Sequence, residues 1–219
     1  TNISQNLPST IMQNFAKVTT TTTDTVTGIF DSNAALFTFN PKEITVDNED
    51  PGFRIIESNQ KNKLQSFFKK ESEDKYKNLN FWMPPSRWTA TIGVNYYGDY
   101  INSAVYKKSG SGSNKTEWTT QIQIPGFYEV FVYTSELPMM GWRHRGGEEK
   151  KIQYYTVKHD DGEEEISVET GRGRQGWMTL GSFYFSAGEA KITLSDKGSE
   201  SNQIIFADAV KWVYTNNNK

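Results

Sequence analysis

The sequence contains no cysteine, which removes disulfides, thiolate metal sites and cysteine nucleophiles together and leaves the redox compartment undecided. Histidine is nearly absent as well, with only His144 and His159 to supply an imidazole base. No run of about 18 apolar residues occurs, so no membrane span is expected. Neither sign of charge dominates. The 24 basic and 26 acidic side chains leave a net charge of -2, so a nucleic-acid-like basic field over the whole chain is not expected. The first residues show no basic stretch leading into an apolar one. No signal peptide is therefore expected in this sequence; either one was removed or the chain is cut from a larger protein. The serine-nucleophile motif G-x-S-x-G and the zinc motif H-E-x-x-H are missing too.

Helical periodicity is also scarce. Its best candidate is 62–79, where Leu64, Phe67 and Phe68 have helical spacing in a strongly charged stretch. That stretch reads either as a helical turn or as a solvated loop.

Aromatic residues are abundant by contrast, with 6 Trp, 11 Tyr and 13 Phe. Together with many Thr and Gly they favour strands and aromatic surfaces over helices. A chain of 219 residues can bury roughly 70% of its unfolded surface without staples. Period-two patterning is clearest from residue 118 onward. Trp118, Thr120, Ile122 and Ile124 fall on one side of "WTTQIQI". "PGFYEVFVYT" follows a Pro-Gly turn signal, and "KIQYYTVKH" and "EEISVET" flank "DDGE" as a hairpin. "LGSFYF" and "AKITL" around "SAGE" are read as a second hairpin, and "QIIFADAVKWVY" as one last strand. Earlier, "KEITV" and "WTATIGVNYY" read as strands, "FTFNP" as a further candidate, and "KKSGSGSNK" as a flexible loop. Short strands about ten residues apart, with no helices between, predict an all-β chain folded as an antiparallel β-sandwich of jelly-roll type. Residues 1–43 are Thr- and Asn-rich and are expected to be an N-terminal extension, a lead-in strand or the remnant of a preceding domain. Residues 215–219 are expected to be a C-terminal tail.

Several segments occur in a familiar order: "VDNEDPGF", "IPGFYEVFVYT", "QYYTVKHDDGEEEISVE", "GWMTLGSFYF" and "IIFADAVKWVY". Together they resemble the golvesin/xanthan lyase carbohydrate-binding-like domain over about residues 44–214. The W-x-x-L-G-x-F-x-F run and the terminal "ADAV" strand carry most of the resemblance. The resemblance implies a non-catalytic jelly-roll module attached to secreted or cell-surface polysaccharide-processing proteins, placed outside the cell or in the periplasm. This sequence departs from that pattern over 57–117, which reads as a long charged insertion in the first half.

One residue conflicts with its surroundings. Asp208 lies on the same strand face as Ile204, Phe206, Val210, Trp212 and Tyr214. A buried carboxylate needs partners. It either accepts hydrogen bonds from a neighbouring turn or pairs with an arginine, or it shares a structural calcium ion with Asp47, Asn48 and Asp50. Related carbohydrate-binding jelly rolls often hold such an ion. In each case Asp208 is architectural.

Strand alternation then predicts where a ligand would meet the domain. The connections 135–150 and 170–178 should share one end of the sandwich, with turn 159–163 at the other. The first two carry Trp142, Arg143, His144 and Arg145, and Arg172, Arg174, Gln175 and Trp177. Aromatic faces and guanidinium forks suit a polysaccharide or oligosaccharide containing uronic acid. Set against this, Trp177 can open the next strand as a core residue, and the arginines can be solvated or pair with Glu148, Glu149 or Glu169. The predicted function is a carbohydrate-binding module working beside adjacent domains of a larger chain. The alternatives are a spacer or docking domain without sugar binding, or a polysaccharide lyase in which His144 takes a proton beside Arg143 and Arg145.

Overall fold

The computed structural model describes residues 42–58, 75–135, 151–171 and 173–215. The readings made for 1–41, 62–74 and Trp142 to Arg145, and for Arg172, lie outside these residues. All named elements among them are strands: β1 (Glu43–Val46), β2 (Phe53–Ile56), β3 (Thr89–Ile92), β4 (Ser103–Lys108), β5 (Lys115–Ile122), β6 (Gly126–Thr134), β7 (Lys151–His159), β8 (Gly162–Thr170), β9 (Gly176–Phe185), β10 (Gly188–Gly198), β11 (Ile204–Ala207) and β12 (Val210–Thr215).

The strands form three antiparallel sheets with orders β1-β12-β6-β9, β2-β5-β10-β7-β8 and β11-β4-β3. Alternation explains the first two. In β6, Tyr128, Val130 and Val132 are buried while their neighbours are half-buried or exposed. In β10, Ala190, Ile192 and Leu194 are buried in the same way. Residues two apart share a face, so each sheet turns one apolar side to the core. Trp118 and Trp212, both almost wholly buried, fill much of that core. The β7–β8 hairpin forms as the sequence predicts, with His159 opposite Gly162.

Three expectations change. First, β9 and β10 are not a hairpin: β9 pairs with β6, whereas β10 lies between β5 and β7. Ser186 and Ala187 carry the chain from one sheet to the other, which buries Leu180 and Phe183 of β9 and Ile192 and Leu194 of β10 in the core. A pattern of two apolar-faced strands around a Gly turn fits a hairpin and a sandwich crossing equally well. Second, the last strand is broken. β11 pairs with β4, β12 pairs with β6 and β1, and Asp208 and Ala209 are the step between. Third, "WTATIGVNYY" is strand only over Thr89–Ile92, after which residues 93–102 form a loop. The later part of the stretch read as an insertion is core. Ala104, Val105 and Tyr106 of β4 are buried, and Tyr96, Tyr106 and Phe206 form a cluster capped by Leu79 and Phe81.

Candidate functional site

The strand break places Asp208 under the β3–β4 loop. Trp118 Nε1 donates to the Asp208 carbonyl at 3.0 Å, and Tyr133 N donates to the Ala209 carbonyl at 2.8 Å, so side chain and strand together hold the step in place. The Asp208 carboxylate, 1% exposed, accepts at Oδ2 from Tyr97 N and from Ser135 Oγ, each at 3.2 Å. That is the hydrogen-bonded alternative read from the sequence. Oδ1 has no partner. Burial drives the carboxyl well above the ordinary range, and the nearby Asp47 charge pushes the same way against the two-donor grip.

Asp47 ends β1 beside this site. Burial, then the charges of Asp50, Glu49 and Asp99, raise its carboxyl to about 7, against a hydrogen bond from Asn48 N. Asp50 turns back to accept from Asp47 N at 2.8 Å, so it shapes the turn. Asn48 Nδ2 donates to Ser103 Oγ at 2.7 Å, and its Oδ1 is buried with no partner. Among the described residues no three His, Cys, Asp or Glu groups gather closely enough to hold a metal by themselves. Asp47 and Asp208 are two buried acids that feel each other's charge, and one oxygen each of Asp208 and Asn48 lacks a partner. Hard oxygen donors of this kind suit calcium chemically.

The same end of the sandwich receives the 170–178 connection. Thr134 Oγ1, at the end of β6, donates to the carbonyls of Arg174 at 2.8 Å and Gly176 at 3.2 Å. The next residue, Ser135, begins the 135–150 connection, of which residues 136–150 lie outside the described residues. The "HDDGEEE" turn lies at the other end, where Asp160 N donates to Tyr184 O at 3.2 Å and β6 begins opposite Phe185. His159 packs there on Phe183 at 5.0 Å with its Nδ1 buried and unpartnered.

Arg174 and Gln175 are both exposed at the shared end. Arg174 pairs with Glu169 at 3.0 Å, which is the pairing alternative weighed for the arginines. The Arg174 side chain is half exposed and that of Glu169 more than half covered, so the pair is partly screened by solvent. Gln175 Nε2 donates to the Asn95 carbonyl at 3.4 Å, and Ser135 Oγ donates to the same carbonyl at 3.3 Å. These contacts tie the β3–β4 loop to the arginine-bearing loop.

The aromatic side of this end was only partly legible. Trp177 is half-buried and contacts Tyr97 and Tyr133 edge-on, with ring centroids 5.2 and 5.3 Å away, while Lys211 Nζ sits 4.5 Å over its ring. It is therefore a strand-opening packing residue on the outer face of its sheet. Tyr97 and Tyr133 escaped the sequence reading because their strand context looks like ordinary alternation. The loop that brings Tyr97 to Tyr133 depends on Asp208, which is far away in sequence.

The sequence matches the Golvesin C-terminal domain over residues 79–214, so the part of 57–117 after residue 79 falls inside the match. No curated protein matches the chain. Among solved structures the chain is similar to Paenibacillus xanthan lyase, with a TM-score of 0.54 and 20% identity, covering 80% of this chain and 13% of that one. A GH26-CBM35 β-(1,4)-mannanase from Podospora anserina gives a TM-score of 0.43 and 12% identity, covering 82% of this chain and 29% of that one. At such identities the likeness concerns the fold, and the chain spans only a fraction of the length of either enzyme.

Proposed function

The chain belongs to the Golvesin C-terminal domain family, and we propose that it acts as a non-catalytic carbohydrate-binding module of a secreted or surface polysaccharide-processing protein, with an acidic, uronate-containing glycan as its ligand. The observation that carries this reading is the convergence at one end of the sandwich. Exposed Arg174 and Gln175 stand there beside a loop anchored by Asn95 and Tyr97. A guanidinium is shaped for a carboxylate, and an amide can read sugar hydroxyls. Trp142, Arg143, His144, Arg145 and Arg172 join the reading on their residue types and on the strand alternation that assigns their connections to this end. The printed names of the similar structures, a xanthan lyase and a mannanase, concern polysaccharides and agree with the ligand class.

Calcium belongs to the same proposal as a structural ion. Asp47, Asn48 and Asp208 would hold it, with Asp50 setting the turn that presents Asp47. Its charge would offset two buried acids and fix the floor of the β3–β4 loop.

One observation favours a docking module instead. Trp82 and Met83 are each 77% exposed, an apolar pair of the kind found at protein contacts. Retention of the protein on immobilised alginate, polygalacturonate and xanthan separates the two. The carbohydrate reading expects retention on at least one, weakened in Arg174→Ala, Trp142→Ala and Arg143→Ala. No retention on any acidic or neutral polysaccharide rejects it in favour of docking.

A further inference from the structure

The β3–β4 loop, residues 93–102, combines tight fastening with full apolar exposure. Inside the loop, Gly93 N donates to Asn102 O at 3.0 Å, Tyr96 N to Gly93 O at 3.2 Å, and Asn102 Nδ2 to Tyr96 O at 2.8 Å. Gly98, at φ +149°, passes so close to Ile101 that an added Cβ would lie 2.1 Å from its carbonyl oxygen. From outside, Asp208, Ser135 and Gln175 grip the backbone of Tyr97 and Asn95, and the Tyr97 ring packs on Tyr133 and Trp177. Folding has fixed this loop, yet Tyr100 is 95% exposed and Val94 94% exposed, and Ile92 and Ile101 are also exposed. An aromatic ring offered by a backbone that has already lost its freedom binds without a further ordering cost.

We propose that Tyr100 is a stacking residue for a glycan ring, presented by the same loop whose Asn95 carbonyl accepts from Gln175. This rests on the carbohydrate reading above and adds to it a contact that no charge pattern showed. A pyranose offers an apolar C–H face to an aromatic ring, and Val94 and Ile101 are further exposed apolar residues of the same loop. Arg174 and Gln175, on the connection bonded to Asn95 of this loop, supply a guanidinium and an amide suited to the polar edge of a uronate. A tyrosine so exposed contributes nothing visible to packing, so its replacement should leave the fold intact.

Affinity electrophoresis of the full 219-residue chain in polygalacturonate, alginate and xanthan gels tests this, with thermal unfolding as the control. For the polysaccharide that retards the unmodified chain, Tyr100→Ala should weaken binding about tenfold at an unchanged melting temperature. Tyr100→Phe, which keeps the ring, should bind like the unmodified chain. Trp82→Ala should also be unaffected, since Asn80 and Pro85 tie its segment to Tyr106 and Lys108, at the other end of β4 from the loop. If the unmodified chain binds and Tyr100→Ala binds equally well, the stacking role is wrong while the carbohydrate reading stands. If the unmodified chain is retarded by none of the three, both are wrong.

Discussion

Tyr97 and Asp208 are separated by 111 positions, and the amide of the first donates to the carboxylate of the second at 3.2 Å. That bond joins the step between β11 and β12 to the loop between β3 and β4. It makes one acidic residue in an apolar strand the anchor of the β3–β4 loop. Removing it should therefore loosen the loop as well as destabilise the fold.

Asp208→Ala leaves Tyr97 N without its acceptor in a buried site and takes from Ser135 Oγ one of its two acceptors, leaving the Asn95 carbonyl. The expected cost is about 2–4 kcal/mol in urea unfolding. Asp208→Asn keeps an acceptor oxygen and should cost less than half of that. Equal losses from both would show that negative charge at this position, rather than hydrogen bonding, holds the loop.

The two raised acids set a pH dependence. Asp47 titrates at about 7 in the folded chain and at its ordinary 3.8 when unfolded, and Asp208 is shifted in the same direction. Between those values the native state binds more protons than the unfolded state, so stability falls as pH rises from about 4 through 7. Asp196 and Glu49 act oppositely at the acid end. Burial pushes each up, but Lys107 and Asn114 for the first, and Lys75 and Ser103 for the second, hold it below its ordinary value. Their contribution is lost as pH drops through those lowered values. In chelator the melting temperature should be higher at pH 5 than at pH 8, and Asp47→Asn and Asp208→Asn should flatten the slope. A melting temperature that rises from pH 5 to 8 in the unmodified chain would contradict this.

A bound cation reverses that preference. At pH 8, calcium at 100 times its dissociation constant should raise the melting temperature by about 5–10 °C. At pH 5, below the raised value of Asp47, the gain should shrink. Asp208→Ala should abolish it. No calcium-dependent shift at pH 8 would leave the two acids as a purely hydrogen-bonded anchor.

Elsewhere the fold is held by a buried ion pair. Lys107 Nζ contacts Asp196 Oδ2, and both are almost fully buried. Asp196 also accepts from Gly112 N at 2.7 Å and Asn114 Nδ2 at 2.9 Å, which fixes the Ser-Gly loop that composition alone marked as flexible. Asp196→Ala strands a buried ammonium and frees that loop, for an expected loss of about 3–5 kcal/mol. Lys107→Met should be milder, because Asp196 keeps its loop donors. Equilibrium denaturation of the two variants checks the order.

The strands were legible because period-two burial writes itself into the sequence. Trp118, Val130, Val132, Ile192 and Trp212 all lie where alternation puts them. Which strand pairs with which was not. β9 and β10 share a Gly turn yet join different sheets, since local pattern fixes the buried face and says nothing of the partner. Asp208 was legible as an anomaly, and its partners were not, because Tyr97 and Ser135 reach it through tertiary folding alone. Arg174 and Gln175 were read from charge and strand alternation, and both are exposed. The 95% exposure of Tyr100 was not legible, because it follows the strand-like run in a loop whose course is set by distant partners such as Asp208.

The most direct measurement is equilibrium binding of the purified chain to uronate oligosaccharides by calorimetry, repeated with Arg174→Ala and with the matching neutral oligosaccharide. Saturable binding to the acidic ligand, several-fold weaker in Arg174→Ala and lost or much reduced for the neutral one, is the expected result. Heat of dilution only, or equal affinity for the acidic and neutral ligands in both proteins, would contradict a carboxylate-reading end on this sandwich.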